Sequence, residues 1–227
     1  MVKVDLKIIR LPLIVYYLMA AMFIALLVCF PSLFQPYVIE KDYIKSTIFY
    51  ISDLFLPLFA ASCIILQLGA SLEKSTYEFL CSLNETNGIF IRWLLTLLIT
   101  TVPLFISIIL SYHDLTYYFN AAISFGRLVF VSFANFLLLC SLSLLLTILL
   151  RRVFYVFCII FGYSLFDLFM GMVTLREFSL FVNISASVSK EALTVNRMAM
   201  YAISLFLALT CTILIKFKFL QRFNGKS

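Results

Sequence analysis

The side chains that carry out nucleophilic and acid–base chemistry are scarce in this sequence and far apart. A cysteine nucleophile must lie within hydrogen-bond distance of the base that activates it. The single histidine, His113, is predicted at the outer end of an apolar run, whereas Cys81, the most accessible thiol, is predicted on the cytoplasmic side. A membrane would separate the two. Histidines and carboxylates do not gather into the sets that membrane proteases need either, so we expect no enzyme in this chain.

One stretch, Gly69–Thr76, superficially looks like a phosphate-binding loop. The true motif places two glycines before Lys-Ser, so that backbone N–H groups can surround a phosphate. Here Glu73 stands in the place of the second glycine, and its carboxylate would repel a phosphate. The cysteines show no metal-ligand spacing. We therefore expect no cofactor or metal on this chain, and any ATP and Mg²⁺ would be bound by a partner.

Two charged residues beside or within apolar runs are candidate functional residues. Asp167 lies 14 residues after Val153, the start of an apolar run, which is about 21 Å along a helix and places a carboxylate inside the outer leaflet. A carboxylate at that depth is costly unless it is paired or protonated, and it commonly marks a cavity or a partner. Arg127 comes directly before a run of 23 uncharged residues. As the outer flank of that run, Arg127 is better read as an interfacial anchor. Asp167 either lines a pathway or has a structural role, in a pair with Arg127 or as a helix cap near Gly171, and the sequence leaves both readings open.

The elements that must position these residues are membrane spans. Of the 227 residues, 64% are hydrophobic and 12% are charged, with a mean hydropathy of +1.10. Soluble domains carry about twice that charged fraction. Runs of about 20 mainly apolar residues predict six transmembrane helices, at 11–30, 51–70, 92–112, 128–150, 153–174 and 198–216. The expected fold class is all-α: a polytopic membrane protein with a single transmembrane domain over 1–227.

The basic residues stand at the ends of these runs and predict the orientation. With the N-terminus inside, 11 of the 17 Lys and Arg residues face the cytoplasm and 6 face outward. An excess of Lys and Arg in cytoplasmic segments is the rule for such proteins, so we expect both termini inside. The net charge of +6 is spread along the chain. The expected neighbours are therefore lipids of a cell membrane, with no nucleic acid.

The segment between the second and third runs, 71–86, is too polar to cross the membrane but is clearly patterned. Its apolar-face residues recur at helical spacing, at Leu72, Thr76, Phe79, Leu80 and Leu83. Glu73 and Glu78 lie mostly away from that face. The pattern predicts a short amphipathic helix on the cytoplasmic surface. It is either a connector resting in the headgroups or a docking element for a soluble partner.

This segment resembles the cytoplasmic coupling helix in permease subunits of ABC-2-type exporters. The family pattern reads Glu, then Thr-x-Glu-x-Leu, then Pro, Ser and a basic residue. The positions that match it are Glu73, Thr76, Glu78 and Leu80, with Thr86 in place of Ser and Arg92 as the basic residue. The sequence departs from it at Asn84, where Pro is common, and at Asn87, where Arg is common. Six spans, both ends inside, an outer segment at 175–197 and a length near 230 also agree with the family.

The resemblance implies the permease subunit of an ATP-driven exporter in a bacterial plasma membrane. It implies a separate cytoplasmic ATP-binding-cassette subunit, which binds ATP and Mg²⁺ and docks on the segment Leu72–Leu83. It also implies a second permease, identical or homologous, with the pathway between the two, and an outer gate within 175–197. The 25 Phe and 12 Tyr residues fit a hydrophobic or amphipathic cargo, such as a peptide, a bacteriocin or a lipid-like molecule, with self-immunity as one use.

Two other classes remain as alternatives. The substrate-binding subunit of an importer, or a secondary carrier, needs a polar site in mid-membrane, and in the sequence only Asp167 qualifies. A membrane-embedded protease that processes peptides is disfavoured, because the necessary cluster of histidines and carboxylates is missing.

The predicted orientation can be tested by labelling single cysteines in a cysteine-free variant. Cysteines at Ser46 and Ser187 are expected to react with an impermeant thiol reagent in intact cells, since both lie outside. A cysteine at Lys226 is expected to react only after the membrane is permeabilised. Reaction at all three positions in intact cells would contradict an orientation with both termini inside.

Overall fold

The computed structural model describes residues 2–34, 54–72, 87–118, 124–150, 152–174, 179 and 190–224. Within these ranges the chain forms six α-helices and no strand. They are α1 (Val2–Phe34), α2 (Leu56–Leu72), α3 (Asn87–His113), α4 (Phe125–Leu150), α5 (Val153–Thr174) and α6 (Lys190–Asn224). A π-helical turn, Asp114–Tyr118, continues α3. The expected all-α fold is confirmed over the described residues.

Four of the helices are long and apolar enough to cross a membrane. The stretches that qualify are Pro12–Cys29, Ile89–Tyr117, Phe125–Leu150 and Glu191–Ile215. In α2 and α5 the corresponding apolar stretches are shorter, Leu56–Gly69 and Val153–Phe169. Large apolar side chains also cover the outside of the helices. Leu18, Leu98, Phe154 and Phe206 are each more than 60% exposed. Water solvates such a surface poorly, so this is a membrane protein.

Helix ends agree best with the predicted spans in α4 and α5. The range of α5 equals the predicted 153–174, and α4 ends at Leu150 as predicted. The last span differs, because α6 begins at Lys190 and not at the predicted 198. The polar residues before 198 read as a loop in sequence, yet an acidic residue such as Glu191 is favourable in the first turn of a helix. Helix α6 therefore extends eight residues before the predicted start of the sixth span.

The contacts between helices fix their relative directions. Three contacts join α3 to α4, and they run in opposite order along the two helices. The pairs are Tyr112 with Phe125 (ring centroids 5.5 Å apart), Phe105 with Phe133 (6.2 Å), and Trp93 Nε1 with the Cys140 carbonyl oxygen (3.4 Å). These two helices are therefore antiparallel. In contrast, Val131 packs with Leu193, and one turn further on Asn135 bonds to Arg197, so α4 and α6 run in the same direction.

The central helix of the fold is α4, which packs against α2, α3, α5 and α6. Its buried side includes small residues such as Ala134, Ser141 and Ser143, which allow neighbouring helices to approach closely. The hydroxyl of Ser143 donates to the Leu139 carbonyl at 2.7 Å, so it leaves no buried donor unsatisfied. In contrast, α6 packs mainly on α4, and α1 packs on α2 and α3.

A proline inside α3 explains how α1 is attached. Pro103 has no N–H group, so the carbonyl of Ile99, four residues earlier, loses its helical partner. The hydroxyl of Tyr17 on α1 donates to that carbonyl at 2.8 Å. The neighbouring Tyr16 donates to the carbonyl of Thr100 at 2.7 Å. The two tyrosines thus satisfy backbone acceptors at the proline and dock α1 onto α3.

The contribution of the Tyr17 hydroxyl to stability is expected to depend on Pro103. Tyr17→Phe should lower the stability of the purified protein by about 1 kcal/mol, because one hydrogen bond is lost. In a Pro103→Ala background the restored N–H occupies the Ile99 carbonyl, so the same change should cost only a few tenths of a kcal/mol. Thermal unfolding of the four proteins in detergent measures the difference. Equal losses in both backgrounds would contradict the account.

Candidate functional site

The most polar place in the described helices is a buried cluster where α4 and α6 meet. Arg197 of α6 is fully buried, and its Nη1 group donates a hydrogen bond to Oδ1 of Asn135 on α4. The same Nη1 lies 3.1 Å from Sδ of Met200. A fully buried arginine is rare and must be compensated by hydrogen bonds or opposite charge. Within a membrane span, such a residue commonly marks a functional site.

The parallel course of α4 and α6 brings these two side chains together. Arg197 lies seven residues after Lys190, about 10 Å along α6. Asn135 lies ten residues after Phe125, about 15 Å along α4. Both helices start on the same side of the bundle, so the guanidinium and the amide meet at a similar depth.

Asp167, the carboxylate expected inside the membrane, is fully buried in α5. It lies seven residues before the end of α5 at Thr174, a distance of about 10 Å and thus a depth similar to that of Arg197. Its neighbour Leu168 packs against the hydrophobic cluster that contains Met200.

Arg127, the other predicted residue, has a different setting. It lies exposed in the first turn of α4, where its backbone N–H donates to Oγ of the capping residue Ser124 at 3.2 Å. Across the part of the chain that the structure describes, no ion pair joins Arg127 to Asp167. Arg127 instead lines a cleft between α4 and α6 of about 220 Å³.

Two further hydrogen bonds fasten α6 near the buried arginine. The hydroxyl of Tyr201 donates to the Phe130 carbonyl of α4 at 2.9 Å. The Nδ2 group of Asn196 donates to the carbonyl of Ser179 at 3.3 Å. The polar side chains of α6 thus bond to α4 on one side and to the preceding segment on another.

A second polar contact lies near the opposite end of the bundle. The hydroxyl of Thr96 on α3 donates to Oε1 of Gln67 on α2, and both side chains are buried. Close by, Gly69 is inside α2, where a side chain would collide with Cγ2 of Val153 at the start of α5. The glycine of the stretch that looked like a phosphate-binding loop therefore allows two helices to pack.

The predicted coupling segment lies almost entirely outside the described residues. Leu72 is the last residue of α2. The other residues assigned to docking lie beyond the described ranges, namely Glu73, Thr76, Glu78, Phe79, Leu80 and Leu83. Their assignment stays a prediction.

His113, the last residue of α3, contacts two neighbouring residues. Its Nδ1 lies 3.5 Å from Oδ1 of Asp114, and its ring stacks on Tyr117 with centroids 5.5 Å apart. Cys81 lies outside the described ranges. Among the residues that are described, no group of His, Cys, Asp or Glu is arranged to hold a metal ion.

Comparison with known protein families, with characterised proteins and with solved structures finds no match to this chain. Its chemistry must therefore be argued from its own residues. The cluster around Arg197 and Asn135, with Asp167 at a similar depth, is the strongest candidate for a functional site.

Sequence reasoning missed both members of the central pair. Arg197 was counted among the outer basic residues, and the run containing Asn135 was noted only as uncharged. A signal was present, since Asn135 is the one amide among the 23 residues from Leu128 to Leu150. An amide buried between helices in lipid needs a partner from another helix.

We expect the pair to be strongly coupled in stability. Arg197→Met should destabilise the protein by about 2–4 kcal/mol, because it leaves the Asn135 amide buried without its charged donor. Adding Asn135→Leu should recover most of that loss, since the double variant replaces the polar contact with an apolar one.

Thermal unfolding in detergent measures both effects. The matched control is Arg152→Met, which removes an exposed arginine and should change stability by no more than about 0.5 kcal/mol. A double variant less stable than either single variant would contradict a direct coupling.

Proposed function

We propose that this chain is the membrane permease subunit of an ATP-driven exporter of the ABC-2 type. It would move a hydrophobic or amphipathic cargo outward, using a separate ATPase subunit. The observation that supports this is the contact between the end of α2 and the start of α3, the helices that flank 73–86. The Gln67–Thr96 hydrogen bond holds the end of α2 beside the start of α3, so the helix ends on either side of 73–86 lie close together, as the helices that flank a coupling helix would.

The proposal includes six crossings with both termini inside. Parallel α4 and α6 require α5 to return the chain between them, and its 22 residues span about 33 Å, enough for a hydrocarbon core of about 30 Å. The 17 residues of α2 span about 25 Å. The π-helical residues Leu54 and Phe55 lengthen that element, and local thinning of the bilayer accommodates a short span.

Coupling would then follow a continuous path of contacts. A push on the segment after α2 would move α2 and α3 together, because they share the Gln67–Thr96 bond. Both pack on α4, which holds α6 through the Asn135–Arg197 bond. A second permease and the ATPase are the expected partners.

A second candidate function is an importer subunit or a secondary carrier. Such proteins bind substrates or ions at polar sites inside the membrane. The observation that favours it is the full burial of Arg197 and Asp167 at similar depths. The direction of transport separates the two, because only the exporter moves cargo outward, whereas an importer or carrier accumulates its substrate inside.

The exporter proposal makes a graded prediction for the coupling segment. Leu80→Asp should weaken ATPase binding by about ten- to a hundred-fold, since burying one leucine contributes roughly 1.5–3 kcal/mol. Glu78→Gln should have a smaller effect, because an exposed charge pair contributes under about 1 kcal/mol.

The measurements are ATPase copurification from mild detergent and cargo-stimulated ATP hydrolysis. Membrane insertion serves as the control, because neither change lies within a span. A connector resting in headgroups would instead lose insertion or stability. If Leu80→Asp inserts normally and keeps coupled ATPase activity, the exporter proposal loses its main support.

A further inference from the structure

The cleft between α4 and α6 has the composition of a site for an amphipathic anion. Its volume is about 220 Å³. Three of its lining residues are apolar and two are polar, and they are Phe130, Val131, Leu193, Arg127 and Thr194. Val131 and Leu193 are buried and form its inner wall, whereas Arg127 and Thr194 are exposed. The cleft thus has an apolar wall with a cation and a hydroxyl beside it.

The cleft lies close to the end of a candidate membrane span, where a bilayer that α4 crosses would have its headgroups. Its residues on α4 lie within six positions of the helix start at Phe125, about 9 Å along the axis. Below it, α6 presents exposed apolar side chains such as Val195 and Met198, which are 63% and 60% exposed. A lipid placed here would meet polar groups at its headgroup and apolar groups along its chains.

We propose that this cleft binds the phosphate-bearing headgroup of an anionic phospholipid. The planar guanidinium of Arg127 can donate two parallel hydrogen bonds to phosphate oxygens. The volume is below the roughly 300–1,000 Å³ of sites that enclose a drug-sized ligand. It therefore suits a headgroup whose acyl chains remain in the bilayer.

The charges favour an anionic lipid over a zwitterionic one. Among the described residues that line the cleft, none carries a carboxylate. Glu191, in the first turn of α6, is exposed and does not belong to the lining. Both phosphatidylcholine and phosphatidylglycerol carry a phosphate that could meet Arg127. The ammonium of phosphatidylcholine would in addition find no counter-charge among the described lining residues, whereas phosphatidylglycerol brings no such cation.

A bound headgroup would hold α4 and α6 together. Leu193 and Val131 each lie one turn before a member of the Arg197–Asn135 pair, so the lipid would sit directly above that bond. Since α6 packs mainly on α4, a headgroup that bridges them adds a second attachment near the start of α6. This inference concerns the chain alone and does not rest on the exporter proposal.

The test is thermal unfolding of the full-length protein, purified in an uncharged detergent without any ATPase. Phosphatidylglycerol should raise the melting temperature saturably, by roughly 5–10 °C at about a hundred times Kd. Phosphatidylcholine and inorganic phosphate, each at the same concentration, should have little effect.

Substitutions in the cleft test whether the rise in melting temperature comes from lipid bound there. Arg127→Gln should weaken phosphatidylglycerol binding by about ten- to a hundred-fold, because a charge-assisted hydrogen bond is lost. Thr194→Trp should abolish the shift by filling the cleft from an exposed position. Arg152→Gln is the matched control, since Arg152 is also exposed but lies at the opposite end of α4, and it should keep the full shift.

Three outcomes would overturn the proposal. An equal rise in melting temperature with phosphatidylcholine would mean that the apolar wall alone binds lipid, without selection for an anionic headgroup. A shift with inorganic phosphate as large as that with phosphatidylglycerol would assign the cleft to a free anion. An undiminished shift in Arg127→Gln would place the lipid elsewhere. Each result is obtained without the ATPase, so it leaves the exporter proposal to be judged separately.

Discussion

A polar group between apolar helices in a lipid bilayer has no water to bond to, so another part of the protein must satisfy it. That constraint explains the main attachments in this bundle. The carbonyl of Ile99, freed by Pro103, receives the hydroxyl of Tyr17. Gln67 of α2 receives the hydroxyl of Thr96 of α3. Each bond joins two helices whose apolar surfaces alone would pack nearly as well against lipid as against each other.

The same constraint gives Arg197 its importance. A guanidinium at its depth is tolerated only where hydrogen bonds and opposite charge compensate it, and Asn135 supplies one of those bonds. Because α6 packs mainly on α4, this bond is a large share of what determines the position of α6. Removing it would alter the packing of α6 as well as the local charge.

Arg127 and Arg197 show how position along a helix decides what an arginine can do. Arg127 is exposed in the first turn of α4, where a guanidinium remains available to a ligand from outside. Arg197 is fully buried two turns into α6 and already bonded within the protein. The first can recruit a headgroup, whereas the second stabilises the contact between two helices.

The sequence by itself determined the class of protein, because its low charge and long apolar runs leave lipid as the only suitable solvent. It also determined the ends of α5 and the end of α4, since Arg151 and Arg152 interrupt an otherwise continuous apolar run. The assignment of Leu72–Leu83 as a coupling helix still rests on sequence alone. Only the tertiary structure decided that α6 starts at Lys190 and that Arg197 faces Asn135. The reason is physical: hydropathy records how apolar each stretch is, whereas the cost of burying a charge depends on which helix lies beside it.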